Sequence, residues 1–100
     1  MFILYSTLGC HLCDQAEQLI TPLMADFQLR WQRLDIAAPD HKLSDQSAEQ
    51  LIARFGEQIP VLGVTFSQLT LAWPFDQAAV LQFIQALMLE AERAERQGDD

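Results

Sequence analysis

The sequence is poor in positive charge, and this shortage limits the partners that it can bind. Its 100 residues include six Lys and Arg against fourteen Asp and Glu, which gives a formal net charge of −8. Nucleic acids and anionic membranes attract proteins through clustered positive charge. The basic residues of this chain are scattered instead. We therefore expect a protein that binds neither nucleic acid nor membranes.

Long apolar runs are also missing. The apolar run at residues 2–5 is too short for an export signal, and no basic residue precedes it. No stretch approaches the roughly eighteen apolar residues of a membrane-spanning helix. We therefore expect a soluble, cytoplasmic protein. In that reducing compartment the two cysteines of the chain are not expected to form a structural disulfide.

What the sequence does contain is typical of one globular domain. Half of its residues are hydrophobic and 20% are charged, and no repeat or linker divides the chain. A chain of this length has room for a single core. We predict one domain over residues 1–96 and a short acidic tail over residues 97–100. Because no long apolar edge or heptad pattern is present, we expect a monomer.

Hydrophobic periodicity predicts a strand, a helix and a second strand in the first part of the chain. Residues 2–5 form an apolar run suited to a buried strand. Residues 14–27 carry apolar side chains at helical spacing, from Ala16 to Phe27, which predicts an amphipathic helix with one buried stripe; at Pro22 inside it we expect a kink. Residues 29–36 alternate and predict a strand. Two strands joined through a helix should be parallel, with a right-handed crossover.

A short helix is predicted next, beginning at Ser44 or Asp45 as the N-cap and ending at Gly56 as the C′ residue. We predict that residues 61–64 and 69–71 pair as a hairpin. The apolar face of the short helix consists of Ala48, Leu51, Ile52 and Phe55.

The last predicted element is a long helix capped by Asp76. The order of elements is therefore βαβαββα, which predicts an α/β fold with a four-stranded mixed sheet flanked by helices. The apolar face of the long helix consists of Val80, Ile84, Leu87, Met88 and Ala91.

The two cysteines lie between the first strand and the first helix, as the pair Cys10-His11-Leu12-Cys13. Residues three apart on a helical turn have Cβ atoms about 5–6 Å apart, close enough for a disulfide with modest adjustment. Cys10 lies at the helix N-terminus, where free amides and the helix dipole stabilise a thiolate. We predict that Cys10 is the exposed catalytic nucleophile and that Cys13 is the resolving thiol.

Other interpretations of this region stay open at this point. The cysteines could be small buried hydrophobic residues, or they could carry Cu(I) or a bridged iron–sulfur cluster. A closed zinc site needs four ligands, for which His11 and His41 are the only histidines. We predict no metal ligand. The chain could also be a redox-silent interaction domain that binds through exposed Trp73 and Phe75.

His11 has two possible roles beside Cys10. A protonated imidazole there would lower the pKa of the Cys10 thiol, whereas the negative charges of Asp14 and Glu17 would oppose that effect. The alternative is a solvated histidine without a role. We include His11 among the candidate substrate-binding residues.

Taken together, several motifs resemble the thioredoxin superfamily and, within it, the glutaredoxin-like proteins of bacteria. These motifs are the C-x-x-C pair after the first strand, Arg54-Phe55-Gly56 at the end of the second helix, and Ile59-Pro60-Val61-Leu62. The run Trp73-Pro74-Phe75-Asp76 is similar to that of a small glutaredoxin-like branch. The resemblance covers about residues 2–87. It implies a thioredoxin-like fold and a thiol–disulfide oxidoreductase.

The resemblance also implies the remaining site residues. A cis bond between Ile59 and Pro60 would place a loop facing the cysteines, where the backbone of Ile59 would pair with an extended substrate. Asp76 lies where the family binds the glutamyl end of glutathione. We therefore expect Ile59, Pro60 and Asp76 to join His11 in binding a protein disulfide or a low-molecular-weight disulfide.

Three departures from the family argue against glutathione. Glutaredoxins that use glutathione typically carry a basic residue shortly before the first cysteine, and residues 7–9 here are uncharged. The dipeptide between the cysteines is His11-Leu12 instead of Pro-Tyr, and Ala72-Trp73-Pro74 replaces a Gly-Gly pair, which hinders approach of a peptide backbone. We expect no cofactor.

Overall fold

The computed structural model describes the backbone of residues 1–98 and the side chains of residues 1–93. Within this range the elements follow the predicted order βαβαββα. They are β1 (Phe2–Ser6), α1 (His11–Asp26), β2 (Trp31–Asp35), α2 (Ala48–Phe55), β3 (Val61–Val64), β4 (Ser67–Ala72) and α3 (Gln77–Gly98).

The four strands form one mixed sheet in the order β2-β1-β3-β4. β1 and β2 are parallel, with Phe2 opposite Trp31 and Ser6 opposite Asp35. β3 runs antiparallel to β1, and β4 antiparallel to β3. This arrangement confirms the predicted α/β fold with a four-stranded mixed sheet flanked by helices, of the thioredoxin-like type.

β1 is the central strand of the fold, and all five of its residues are buried. Phe2 and Leu4 belong to the larger core, which contains buried residues of α1 and α3. Ile3 and Tyr5 belong to a smaller core with residues of α2. Because successive side chains of a strand point to opposite faces, α1 and α3 cover one face of the sheet and α2 covers the other.

The first helix begins earlier than predicted and continues past Pro22. It starts at His11 instead of residue 14, and Pro22 lies on its exposed side. The kink at Pro22 stays a prediction. Phe27 was predicted to lie on the buried stripe, but it follows the helix as its C-cap and is 46% exposed. The buried residues of α1 are Cys13, Ala16, Ile20, Leu23 and Met24.

The predicted N-cap of α2 is wrong. Ser47 is the N-cap: its Oγ accepts a hydrogen bond from the Gln50 N–H at 3.2 Å, and Gln50 Oε1 accepts one from the Ser47 N–H at 2.9 Å. This reciprocal capping box satisfies two backbone donors at once, which neither Ser44 nor Asp45 could do from its position. Gly56 follows the helix as its C-cap, with right-handed φ of −54°.

The buried face of α2 is narrower than predicted. Leu51 and Phe55 are buried, whereas Ile52 is 48% exposed. A helix of eight residues lying on a sheet contacts it mainly through residues one turn apart. Ile52 lies to the side of that contact.

The hairpin and the last helix are longer than predicted. β3 has the predicted bounds, but β4 begins at Ser67 and ends at Ala72. Asp76 caps α3 as predicted, because its Oδ1 accepts the Ala79 N–H at 2.8 Å. α3 ends at Gly98 and so includes the first two residues of the predicted tail, whereas Asp99 and Asp100 lie outside the described residues.

Two residues of the predicted apolar face of α3 are not buried. Met88 is 53% exposed and Ala91 is exposed. They line an apolar groove of about 430 Å³ together with Leu29 and Phe66. The groove lies where β1 begins and the β3–β4 hairpin turns. The part of α3 that carries these residues is therefore covered only partly by the sheet.

No helix within the described residues is long and apolar enough to cross a membrane.

Replacing Gly63 with alanine should destabilise the fold by about 1–3 kcal/mol. A Cβ atom at Gly63 would lie 2.9 Å from Cε2 of Tyr5. The Tyr5 ring cannot easily move, because it is buried and stacked on Phe55 with ring centroids 4.5 Å apart. Urea unfolding measures the loss.

The matched control is the same substitution in a Tyr5→Leu background, where the ring is absent. Gly63→Ala should then cost clearly less. An equal cost in both backgrounds would mean that Tyr5 is not the obstacle.

Candidate active site

One end of the sheet brings the predicted site segments together. β1 ends at Ser6 and leads through a short turn, with Gly9 at a positive φ of 74°, to Cys10. Because β3 is antiparallel to β1 and Val61 pairs with Tyr5, Pro60 lies at the same end. The Trp73 N–H donates to the Pro60 carbonyl at 3.0 Å. This bond brings the segment before α3 to that end as well.

Cys10 is the N-cap residue of α1. Its backbone is extended, with φ −88° and ψ 106°, and its Sγ accepts the Cys13 N–H at 3.1 Å. The first amides of a helix have no partners within the helix and carry partial positive charge. The sulfur of Cys10 therefore occupies a position that stabilises negative charge.

Cys10 and Cys13 are joined by a disulfide, with Cα atoms 5.2 Å apart. Cys13 is completely buried, whereas Cys10 is partly exposed. This difference agrees with the prediction that Cys10 is the more accessible sulfur. A reagent can approach Cys10 from solvent and reaches Cys13 only through it.

The residues around Cys10 expose both polar and apolar side chains. His11 is exposed, as are Leu8 at 88% and Leu12 at 46%. Leu8 and Leu12 were not among the predicted site residues. Exposed leucines on both sides of Cys10 give this end of the molecule an apolar rim. The hydrophobic pattern of the sequence could not distinguish these two leucines from core residues.

The Ile59–Pro60 peptide bond is cis, and so is the Trp73–Pro74 bond. Pro60 is buried and Ile59 is half-buried. The Ile59 N–H donates to the Phe55 carbonyl at 3.0 Å. Within the described residues, no backbone N–H donates to the Ile59 carbonyl outside the regular elements. A substrate backbone would therefore find the carbonyl of Ile59 available and its N–H already bonded.

The segment before α3 is packed more tightly than the sequence suggested. Phe75 is buried, and its ring meets that of Trp73 edge to face with centroids 5.0 Å apart. Trp73 is half-buried and packs against the larger core. The expectation of an exposed Trp73–Phe75 pair is therefore wrong, because Phe75 contributes to the core. The alternative of an interaction domain that binds through an exposed Trp73–Phe75 pair therefore lacks the exposed surface that it requires.

An arginine missed by the sequence analysis lies beside α1. Arg33 Nη1 is 2.8 Å from Asp14 Oδ1 and 3.4 Å from Glu17 Oε2. Its Nε donates to Ser6 Oγ at 2.9 Å, and Ser6 is buried. The acidic residues in the first turns of α1 are thus paired with a cation on β2.

Tyr5 lies at this end of β1, on the α2 face of the sheet. Burial on the α2 face raises the pKa of the Tyr5 hydroxyl above its ordinary value, and the charge of Arg54 partly opposes this. Because Tyr5 belongs to the core with α2 and the cysteines belong to α1, it lies on the other side of the sheet from them.

Metal-ligating side chains do not converge in the described part of the chain, where no three His, Cys, Asp or Glu residues form a cluster. His41 lies in the exposed loop between β2 and α2. The two thiol side chains of the chain, those of Cys10 and Cys13, are brought together as a pair.

Comparison with known proteins agrees with this geometry. Residues 1–85 match the model of the glutaredoxin-like domain family (DUF836). The chain is also similar to an X-ray structure of the Northeast Structural Genomics target protein XcR50 from X. campestris, with 28% sequence identity and a TM-score of 0.64. That similarity covers 86% of this chain and 97% of the other. No curated protein matches the chain.

Asp76 should contribute to stability as a helix cap, whatever else it binds. Asp76→Ala removes the acceptor of the Ala79 N–H and should cost about 1 kcal/mol in urea unfolding. Asp76→Asn keeps a side-chain oxygen and removes the charge, so it should leave stability nearly unchanged. Equal losses in the two variants would show that the charge, not the hydrogen bond, stabilises α3.

Proposed function

The chain belongs to the glutaredoxin-like domain family, and on this basis we propose that it is a thiol–disulfide oxidoreductase. Cys10 is the nucleophile and Cys13 is the resolving thiol. The observation that carries the proposal is the position of Cys10 Sγ at the N-terminus of α1, where it accepts the Cys13 N–H at 3.1 Å.

The reaction begins with the reduced pair. The Cys10 thiolate attacks one sulfur of a substrate disulfide, and the substrate thiolate that leaves takes a proton from solvent. Cys13 then loses its proton and attacks Cys10 Sγ, which releases the second substrate thiol and forms the Cys10–Cys13 disulfide. Two electrons pass from the cysteine pair to the substrate. A thiol reductant must then reduce the pair for the next cycle.

Local geometry supports this division of roles. Thiolate stabilisation by helix amides falls off within the first turn, so it favours Cys10 over Cys13. Burial favours the neutral form of a thiol, and Cys13 is the buried member of the pair. The exposed sulfur is therefore the one best able to carry a negative charge.

The surroundings of Cys10 support a peptide substrate more than glutathione. Leu8 and Leu12 offer exposed apolar surface to the side chains of a polypeptide. Trp73 and Pro74 stand where related proteins that use glutathione have glycines. Glutathione is also anionic, and a chain with a net charge of −8 does not attract it. We therefore propose protein disulfides as the main substrates, reduced by a monomeric protein in the cytoplasm.

The pH dependence of alkylation tests the assignment of the two cysteines. In the reduced protein, Cys10 should react with iodoacetamide well below the pH at which a free thiol reacts, because the helix N-terminus lowers its pKa. Cys10→Ser should abolish this rapid reaction. Cys13→Ser should preserve it and accumulate mixed disulfides with substrate.

A titration in glutathione redox buffers completes that test. We expect a potential of roughly −200 to −270 mV, between those of glutaredoxins and thioredoxin, so that the pair donates electrons in the cytosol. Alkylation of Cys10 at the rate of a free thiol, and no faster than Cys13, would contradict the enzyme assignment. Absorbance spectra and metal analysis of the purified protein test the alternative that the pair carries copper or an iron–sulfur cluster.

The double substitution Trp73→Gly and Pro74→Gly tests the exclusion of glutathione. It should increase the reduction of glutathione mixed disulfides, because it removes the side chains that obstruct the tripeptide. The rate with a small dialkyl disulfide, which needs no groove, should stay unchanged. Because Trp73 packs against the core, unfolding of the variant must be measured alongside.

If this explanation holds, the wild-type protein should reduce glutathione mixed disulfides more slowly than an authentic glutaredoxin. An equal rate would mean that Trp73 and Pro74 do not obstruct glutathione.

A further inference from the structure

We propose that Arg33 is a positioning residue for the reaction of Cys10: it pairs with Asp14 and Glu17, offsets one of their two negative charges and thereby favours the Cys10 thiolate. The inference deepens the proposed function and rests on Cys10 being the nucleophile. The observation behind the inference is the set of ion pairs between β2 and α1, which is separate from the position of Cys10 that carries the proposed function.

The position of Arg33 in the sheet directs its side chain toward α1. Arg33 pairs with Leu4 of β1, and Leu4 belongs to the core that α1 and α3 cover. β2 is an edge strand, so a long side chain can cross to the helix with its charged end partly in solvent. The Arg33 side chain is 28% exposed.

The guanidinium of Arg33 bridges the two segments that flank Cys10. Its Nε donates to the Oγ of buried Ser6, the last residue of β1. Its Nη1 contacts Asp14 at 2.8 Å and Glu17 at 3.4 Å, in the first two turns of α1. One cation therefore ties the end of the strand to the start of the helix, with Cys10 between them.

The charges of this cluster act against each other near the sulfur. Asp14 follows Cys13 directly and lies one turn from Cys10, so its carboxylate and that of Glu17 disfavour a second negative charge nearby. Arg33, Asp14 and Glu17 together carry a net charge of −1, whereas the two carboxylates without Arg33 carry −2. The helix amides would then have to stabilise the thiolate against both carboxylates.

The other charged groups at this end do not replace Arg33. His11 is exposed on α1, whereas Asp35 at the end of β2 accepts the Ala37 N–H and Asp76 caps α3, and both of these residues are acidic. Arg54 lies over the Phe55 ring on the α2 face. Among the described residues on the α1 side, Arg33 is thus the arginine that faces the acidic pair.

The test compares alkylation of Cys10 in the reduced protein across pH and salt concentration. Arg33→Gln should slow alkylation about threefold at pH values below the pKa of Cys10, an effect in the range expected for one partly screened charge. Asp14→Asn with Glu17→Gln should speed it, and the triple variant should recover at least the wild-type rate. High salt should reduce these differences.

Arg30→Gln is the matched control. It changes the net charge by the same amount, but Arg30 precedes β2 and lines the apolar groove at the other end of the sheet. It should leave the alkylation profile unchanged. A merely structural role for Arg33 would lower stability without moving that profile.

Three results would overturn the inference: an unchanged profile in Arg33→Gln, a triple variant as slow as Arg33→Gln, or an equal effect of Arg30→Gln. If Arg33→Gln does not fold, the Asp14→Asn and Glu17→Gln double variant still tests the proposal. Alkylation of Cys10 that is no faster in this double variant than in the wild type would contradict it. Failure of the proposed function has a different signature. In that case wild-type Cys10 itself would react like a free thiol.

Discussion

The burial of β1 on both faces is the constraint on which the rest of this structure depends. A strand covered on both sides is apolar over most of its length, as β1 is from Phe2 to Tyr5, and the alternation of β1 assigns Leu4 to the α1 face and Tyr5 to the α2 face. Its carboxyl end then determines where the C-x-x-C segment leaves the sheet. The antiparallel register with β3 brings Pro60 to the same end. The position of the candidate site therefore follows from the strand order.

The electrostatics of the cysteine pair are local, although the chain as a whole is strongly acidic. At physiological ionic strength, exposed charges more than about 8–10 Å apart are largely screened. Most of the fourteen acidic residues therefore matter less to Cys10 than the amide of Cys13, whose nitrogen is 3.1 Å from its sulfur. Two acidic residues, Asp14 and Glu17, lie in the first two turns of α1, and both are paired with Arg33. The sequence alone does not reveal that these carboxylates have a partner on β2.

Most features encoded by neighbouring residues could be predicted from the sequence, whereas side-chain partners that lie far apart in the sequence could not. The seven elements, the cap at Asp76 and the greater exposure of Cys10 follow from periodicity and from helix ends. The N-cap of α2 was missed because several residues before the helix can cap, and the reciprocal partner Gln50 decides among them. Arg33 was missed because its partners are Ser6, Asp14 and Glu17, which are 27, 19 and 16 residues away in sequence. Only the parallel pairing of β1 with β2 brings them together.

The backbone around Ile59 limits how a substrate can lie across the cysteines. An extended peptide that paired with this residue through two hydrogen bonds would need both its N–H and its carbonyl. The Ile59 N–H already donates to the Phe55 carbonyl at the end of α2, at 3.0 Å. A substrate chain therefore meets an acceptor at Ile59 and must supply the donor itself. One backbone bond gives little selectivity for sequence, so the peptide substrates proposed above would be distinguished through the side chains at the rim, Leu8 and Leu12 among them.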